Sequence, residues 1–83
     1  MNRDIAAAYG RLAQAGVAPD SAAADEVVRR HVEWLRGPVA DVSRAYLRGL
    51  GELYVTDPRF GANYPGCAEF VRDALRAYAG SHL

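Results

Sequence analysis

Every long apolar run in this 83-residue chain repeats at intervals of three and four, and none alternates at intervals of two. The first spacing is that of an α-helix with one buried face, whereas a half-buried strand repeats every second residue. The chain is therefore restricted to helices that pack apolar stripes on one another. The expected fold class is all-α: a compact bundle of four main helices plus a short helical turn, without a sheet. A chain this long forms one domain, residues 1–83, near the lower limit for a self-sufficient core.

The first stripe, Ile5, Ala8, Tyr9 and Leu12, predicts a helix from about Arg3 to Ala15 that stops at Gly16. Asp20 or Ser21 then caps a second helix reaching about Arg36. Its stripe is Ala24, Val27, Val28, His31 and Leu35, with Trp34 on the edge, and Gly37-Pro38 ends it. Asp25–Arg29 and Glu26–Arg30 are spaced to pair on its wet face. A third helix is expected from about Asp41 to Val55, with Val42, Ala45, Tyr46, Gly49, Leu50 and Leu53 on one face. Thr56-Asp57-Pro58 reads as a cap with proline at the first helical position, starting a short turn through Arg59 to Tyr64. The last helix, about Gly66 to Ala79, carries Cys67, Phe70, Val71, Ala74, Leu75 and Tyr78, with Gly80 as its C-cap and a frayed end beyond.

Charge narrows the function. Ten arginines balance ten acidic residues, so nothing draws the chain to a phosphate backbone, and no nucleic-acid partner is expected. No run approaches the length of a membrane span, so no membrane is expected. One cysteine, Cys67, fits a reducing compartment, and the expected location is cytoplasmic.

Few residues carry chemistry. His31, Cys67 and His82 have no metal-ligand spacing, and no local pattern pairs Cys67 with a histidine. No catalytic residue, metal or cofactor is expected, and the chain reads as a non-enzyme. Cys67 on an apolar stripe reads as a small buried hydrophobe. His31, mid-stripe, is either a hydrogen-bonded core histidine or the one polar group of an apolar pocket. Trp34 suits the rim of a core or the wall of a cleft. Gly49 and Gly51 together cost a helix interior about 2 kcal/mol, which close packing or room for a ligand would explain. Tyr46, Tyr54, Phe60 and Tyr64 cluster around them.

Three runs, Arg29-Arg30-His31-Val32-Glu33-Trp34, Gly49-Leu50-Gly51-Glu52-Leu53-Tyr54-Val55-Thr56-Asp57-Pro58-Arg59-Phe60, and Asn63-Tyr64-Pro65-Gly66-Cys67-Ala68-Glu69-Phe70-Val71-Arg72-Asp73-Ala74-Leu75-Arg76, resemble the TipAS antibiotic-recognition family. The specific part spans about residues 29–79. The resemblance implies a globin-like helical fold that binds bulky, largely apolar antibiotics, thiopeptides being the best-known class. In the usual regulator such a domain follows a MerR-type DNA-binding head; isolated domains sequester the drug. Residues 1–83 contain no counterpart of the head or of the helices that normally precede the core. Some members carry a reactive cysteine on the third helix; Gly49 or a neighbour stands there in this sequence.

The expected site is a hollow between the second and third helices formed by His31, Trp34, Tyr46, Gly49, Leu50, Leu53, Tyr54 and Phe60, taking a small-molecule or peptide antibiotic for sequestration or sensing. The alternative is a protein–protein module in which exposed apolar stripes form a homodimer or partner interface.

Overall fold

The computed structural model describes residues 3–37 and 41–83, and these form five helices without a strand. They are α1 (Arg3–Ala15), α2 (Ala22–Leu35), α3 (Arg44–Thr56), α4 (Pro58–Gly61) and α5 (Ala68–His82). The all-helical expectation holds, with four long helices and one short one.

Local chemistry sets most boundaries. Gly16, at φ 72°, takes the left-handed conformation, and the Gly16 and Val17 amides donate back to Ala13 and Leu12 to close α1. The Ser21 hydroxyl accepts from the Ala24 amide at 3.2 Å and starts α2, so Ser21, not Asp20, is its cap. The Ser43 hydroxyl does the same for α3, accepting from the Tyr46 amide at 3.0 Å. That cap places the start of α3 at Arg44 instead of Asp41. Asp57 caps α4 with Pro58 at the first helical position. Pro38, expected to terminate α2, lies outside the described residues; α2 itself ends at Leu35.

The core runs through all four long helices. Val28, Leu47, Val71 and Leu75 are completely enclosed, each contributing about 1.5–3 kcal/mol of hydrophobic transfer. The stripes read from α1, α2 and α5 are indeed inward. The stripe read from α3 is inward only at Val42, which lies ahead of the helix. Ala45, Tyr46 and Gly49 are exposed and Leu50 and Leu53 half-buried, whereas Leu47, Gly51 and Tyr54 face the core. Both sets have helical spacing, so periodicity alone does not separate them. Gly51 decides between them. A methyl group there would lie 3.2 Å from the Arg72 Cα, so α5 crosses α3 directly over this residue. The α3–α5 contact is the most extensive in the fold; α1 packs on α2 and α5, and α4 on α3.

Two further expectations change. Gly80 does not cap α5; it sits inside the helix, which runs on to His82. The His82 ring lies 4.5 Å from that of Tyr78, and its Nε2 lies 3.2 Å from an Asp25 carboxylate oxygen, fastening the end of α5 to α2. Because Asp25 pairs there, it does not serve Arg29, whose guanidinium pairs instead with Glu26 one turn earlier.

Candidate functional site

The outward face of α3 is an apolar surface in its own right. Ala45, Tyr46, Gly49, Leu50 and Leu53 line a shallow hollow of about 360 Å³, and none of the five carries a charge. The hollow exists because Gly49 has no side chain: a methyl group placed there would meet nothing within 4 Å. The two glycines therefore do different jobs. Gly51 admits a neighbouring helix, and Gly49 leaves open space. Large apolar groups beyond the hollow are also exposed, namely Trp34, Val55 and Phe60.

A second feature is an aromatic cluster in the interior. Tyr9 from α1, His31 from α2, Tyr54 from α3 and Tyr64 after α4 pack with paired ring centroids 4.7–6.4 Å apart, and the exposed Trp34 of α2 stands at the edge, 6.2 Å from His31. The imidazole of His31 lies nearly parallel to the Tyr54 ring, and Tyr9 meets Tyr64 edge-on. His31 is 1% exposed, and its Nδ1 lies 2.9 Å from the Tyr9 hydroxyl. Burial lowers its pKa from 6.5 to about 4, so the ring is neutral at physiological pH. Burial likewise pushes the Tyr9, Tyr54 and Tyr64 phenols upward, with the neighbouring phenols adding to the rise at Tyr9 and Tyr64.

The structure does not draw the eight expected site residues around one hollow. Tyr46, Gly49, Leu50 and Leu53 share the α3 hollow. His31, Trp34 and Tyr54 belong to the aromatic cluster. Phe60 is exposed on α4, with the Arg59 guanidinium 5.9 Å from its ring centre. The division follows from the α3 register: Tyr54 faces inward with Leu47 and Gly51, Leu50 lies at the border of the core, and Tyr46 is exposed.

Two things were missed in the sequence. One is Tyr9, the partner of His31; a phenol in the middle of a buried stripe signals that its hydroxyl must find such a partner. The other is a larger groove of about 640 Å³ between the end of α3 and the start of α5, bordered by Tyr54, Tyr64, Cys67 and Phe70. Gly61 and Gly66 were its only sequence signals. A methyl group on Gly61 would lie 2.5 Å from the Tyr54 carbonyl oxygen, and Gly66 has φ 77°. Glu69 also lines this groove, which makes it a less suitable receptor for an apolar molecule than the α3 hollow.

The family model described as the TipAS antibiotic-recognition domain matches residues 1–78. The chain belongs to the TipAS family. The match begins ahead of the motif-bearing part at about residue 29, so α1 is part of the family pattern in this TipAS chain. Among curated proteins it is similar to the HTH-type transcriptional regulator SkgA of Caulobacter vibrioides, in two strains. It is 37% identical to each over 73 residues, covering 77% of this chain and 27% of the relative. The TipAS chain thus spans about a quarter of the length of the regulators it matches. No solved structure matches it significantly.

Among the described residues no three of His, Cys, Asp and Glu come together to hold a metal, and no helix is long and apolar enough to cross a membrane. Cys67 is buried, and desolvation raises its thiol pKa, which disfavours the nucleophilic thiolate.

Proposed function

We propose that residues 1–83 act as one non-enzymatic binding domain that holds a bulky, largely apolar antibiotic, thiopeptide-like or another peptide or polyaromatic drug, against the outward face of α3. The observation that carries this reading is the hollow at Gly49. A helix accepts a glycine there at a cost of about 1 kcal/mol, yet no neighbouring atom uses the space. Tyr46, Leu50 and Leu53 surround it with apolar surface and no competing charge. Phe60 and Trp34 are exposed as well, so further aromatic surface is open to a ligand.

Membership of an antibiotic-recognition family supports the ligand class. The name of the relatives, HTH-type transcriptional regulator, favours sensing over sequestration as the use of the bound drug. The balance of ten basic and ten acidic residues argues that this chain does not itself bind DNA.

The test is a thermal-shift screen with thiopeptide, linear peptide and polyaromatic antibiotics. A ligand at 100 times its Kd adds about 2.7 kcal/mol, several degrees in a domain of this size. Silence from every class at saturating concentration would end the reading. The exposed Trp34, Tyr46, Val55 and Phe60 favour one alternative, an interface with a second copy or another protein. A stable dimer in solution with no ligand response selects it.

A further inference from the structure

The imidazole of His31 is satisfied on one side only. Its Nδ1 faces the Tyr9 hydroxyl, but Nε2, equally buried, has no hydrogen-bond partner among the described residues. Buried polar atoms are nearly always paired, and one left alone in a well-packed interior calls for a functional or solvent explanation.

The tautomer follows from counting. If Nδ1 carried the proton, it would donate to the Tyr9 oxygen, leaving both the phenolic hydrogen and the Nε2 lone pair unmet. If the phenol donates to Nδ1, only the Nε2–H is unmet. The second arrangement leaves fewer orphans, so His31 presents a free N–H donor.

The surroundings say what could reach it. Four rings enclose the imidazole: Tyr9, Tyr54 and Tyr64 are buried, and Trp34 is 41% exposed. The indole, its ring centre 6.2 Å from that of His31, is the one of the four that reaches solvent, and it stands on the last turn of α2.

We propose that Trp34 is a movable wall over His31, and that a planar heteroaromatic group bearing a hydrogen-bond acceptor, an azole- or pyridine-type nitrogen or a ring carbonyl, enters beside it and takes the free N–H of His31. The geometry selects neutral, flat acceptors. A cation meets no carboxylate among these rings, and a donor-only ring such as indole repeats the group already unmet. The inference rests on the reading of this chain as a ligand-binding domain and assigns a second point of recognition, at the aromatic cluster and not in the α3 hollow.

The test uses two bicyclic probes of one shape, isoquinoline and naphthalene, at a pH where both are neutral. Titrations are followed by NMR on protein labelled with nitrogen-15. Isoquinoline is expected to bind about tenfold or more tightly than naphthalene, because only it satisfies the orphan donor. It should move the His31 Nε2–H and Trp34 indole resonances together, and the preference should vanish in His31→Phe. Equal affinities, a preference that survives His31→Phe, or binding that leaves the Trp34 resonance in place would each overturn the proposal. If His31→Phe does not fold, the wild-type spectra still decide: a His31 ring protonated at Nδ1, or an Nε2–H indifferent to isoquinoline, refutes it. Because the probes are not antibiotics, a negative antibiotic screen and a negative probe titration are distinguishable outcomes.

Discussion

Replacing each of two α3 glycines with alanine separates packing from open space. Gly49→Ala adds a methyl group where nothing lies within 4 Å, so its effect is the helix-propensity gain of about 1 kcal/mol. Gly51→Ala receives the same gain but places its methyl 3.2 Å from the Arg72 Cα and 3.4 Å from the Arg72 carbonyl oxygen. Those are backbone atoms of a helix anchored by fully buried Val71, Ala74 and Leu75, so α5 cannot retreat without loosening the core. Overpacking of this kind costs about 1–3 kcal/mol. The propensity gain cancels between the variants, so their difference isolates the clash. Gly51→Ala should be less stable than Gly49→Ala by about 1–3 kcal/mol. At about 4–8 °C per kcal/mol for a domain of this size, the gap in Tm should be at least about 4 °C, with Gly49→Ala melting above the parent. Thermal melts by far-UV circular dichroism and urea titration measure both. A Gly51→Ala variant that melts at or above Gly49→Ala would show that the α3–α5 crossing is not where the structure puts it.

Other consequences follow from single residues. Folding lowers the His31 pKa from 6.5 to about 4, so the unfolded chain binds this proton first. The His31 contribution is intact above pH 6.5 and lost as the pH falls toward 4, in total about 3 kcal/mol; His31→Phe should flatten the stability curve in that window, and identical slopes for the two proteins would contradict the burial of a neutral ring. Cys67→Ser, which puts a hydroxyl where a buried thiol packs, should cost about 1–2 kcal/mol on denaturant titration while leaving antibiotic affinity intact; an adduct with a dehydroalanine-bearing thiopeptide that Cys67→Ser abolishes would reverse that assignment. Trp34→Ala should remain folded, its indole being half outside the core, and weaken a bound antibiotic by more than about 1 kcal/mol; unchanged affinity by calorimetry would remove Trp34 from the binding surface.

The fold was legible wherever one residue type has one local solution. Gly16 had to take a positive φ, and serines and an aspartate before apolar stripes had to cap. The inward faces of α1, α2 and α5 were legible because each carries a single apolar stripe. On α3 the sequence offers two stripes, and burial depends on which of them α5 crosses, a tertiary choice that periodicity does not contain. Tyr54 shares the spacing of Tyr46 and Leu50, yet it lies on the core side of that stripe, buried where Tyr46 is exposed. The value of Gly49 was legible as an alternative only, since a glycine that admits a helix and one that leaves a void look alike until the neighbours are placed. Gly80 misled for a related reason: the His82 contacts to Asp25 and Tyr78 that extend α5 past it join residues far apart in the chain.

The α3 hollow can be tested without disturbing the core by filling it. Gly49→Leu adds an isobutyl group to open space and, by helix propensity, should raise Tm slightly. Calorimetric titration of an antibiotic identified by the thermal-shift screen into parent and variant then tests whether the drug sits in the hollow. The expected outcome is a folded Gly49→Leu protein whose affinity falls by about tenfold or more, since the ligand must give up its seat against Leu50 and Leu53. A folded variant that binds as tightly as the parent would place the drug elsewhere.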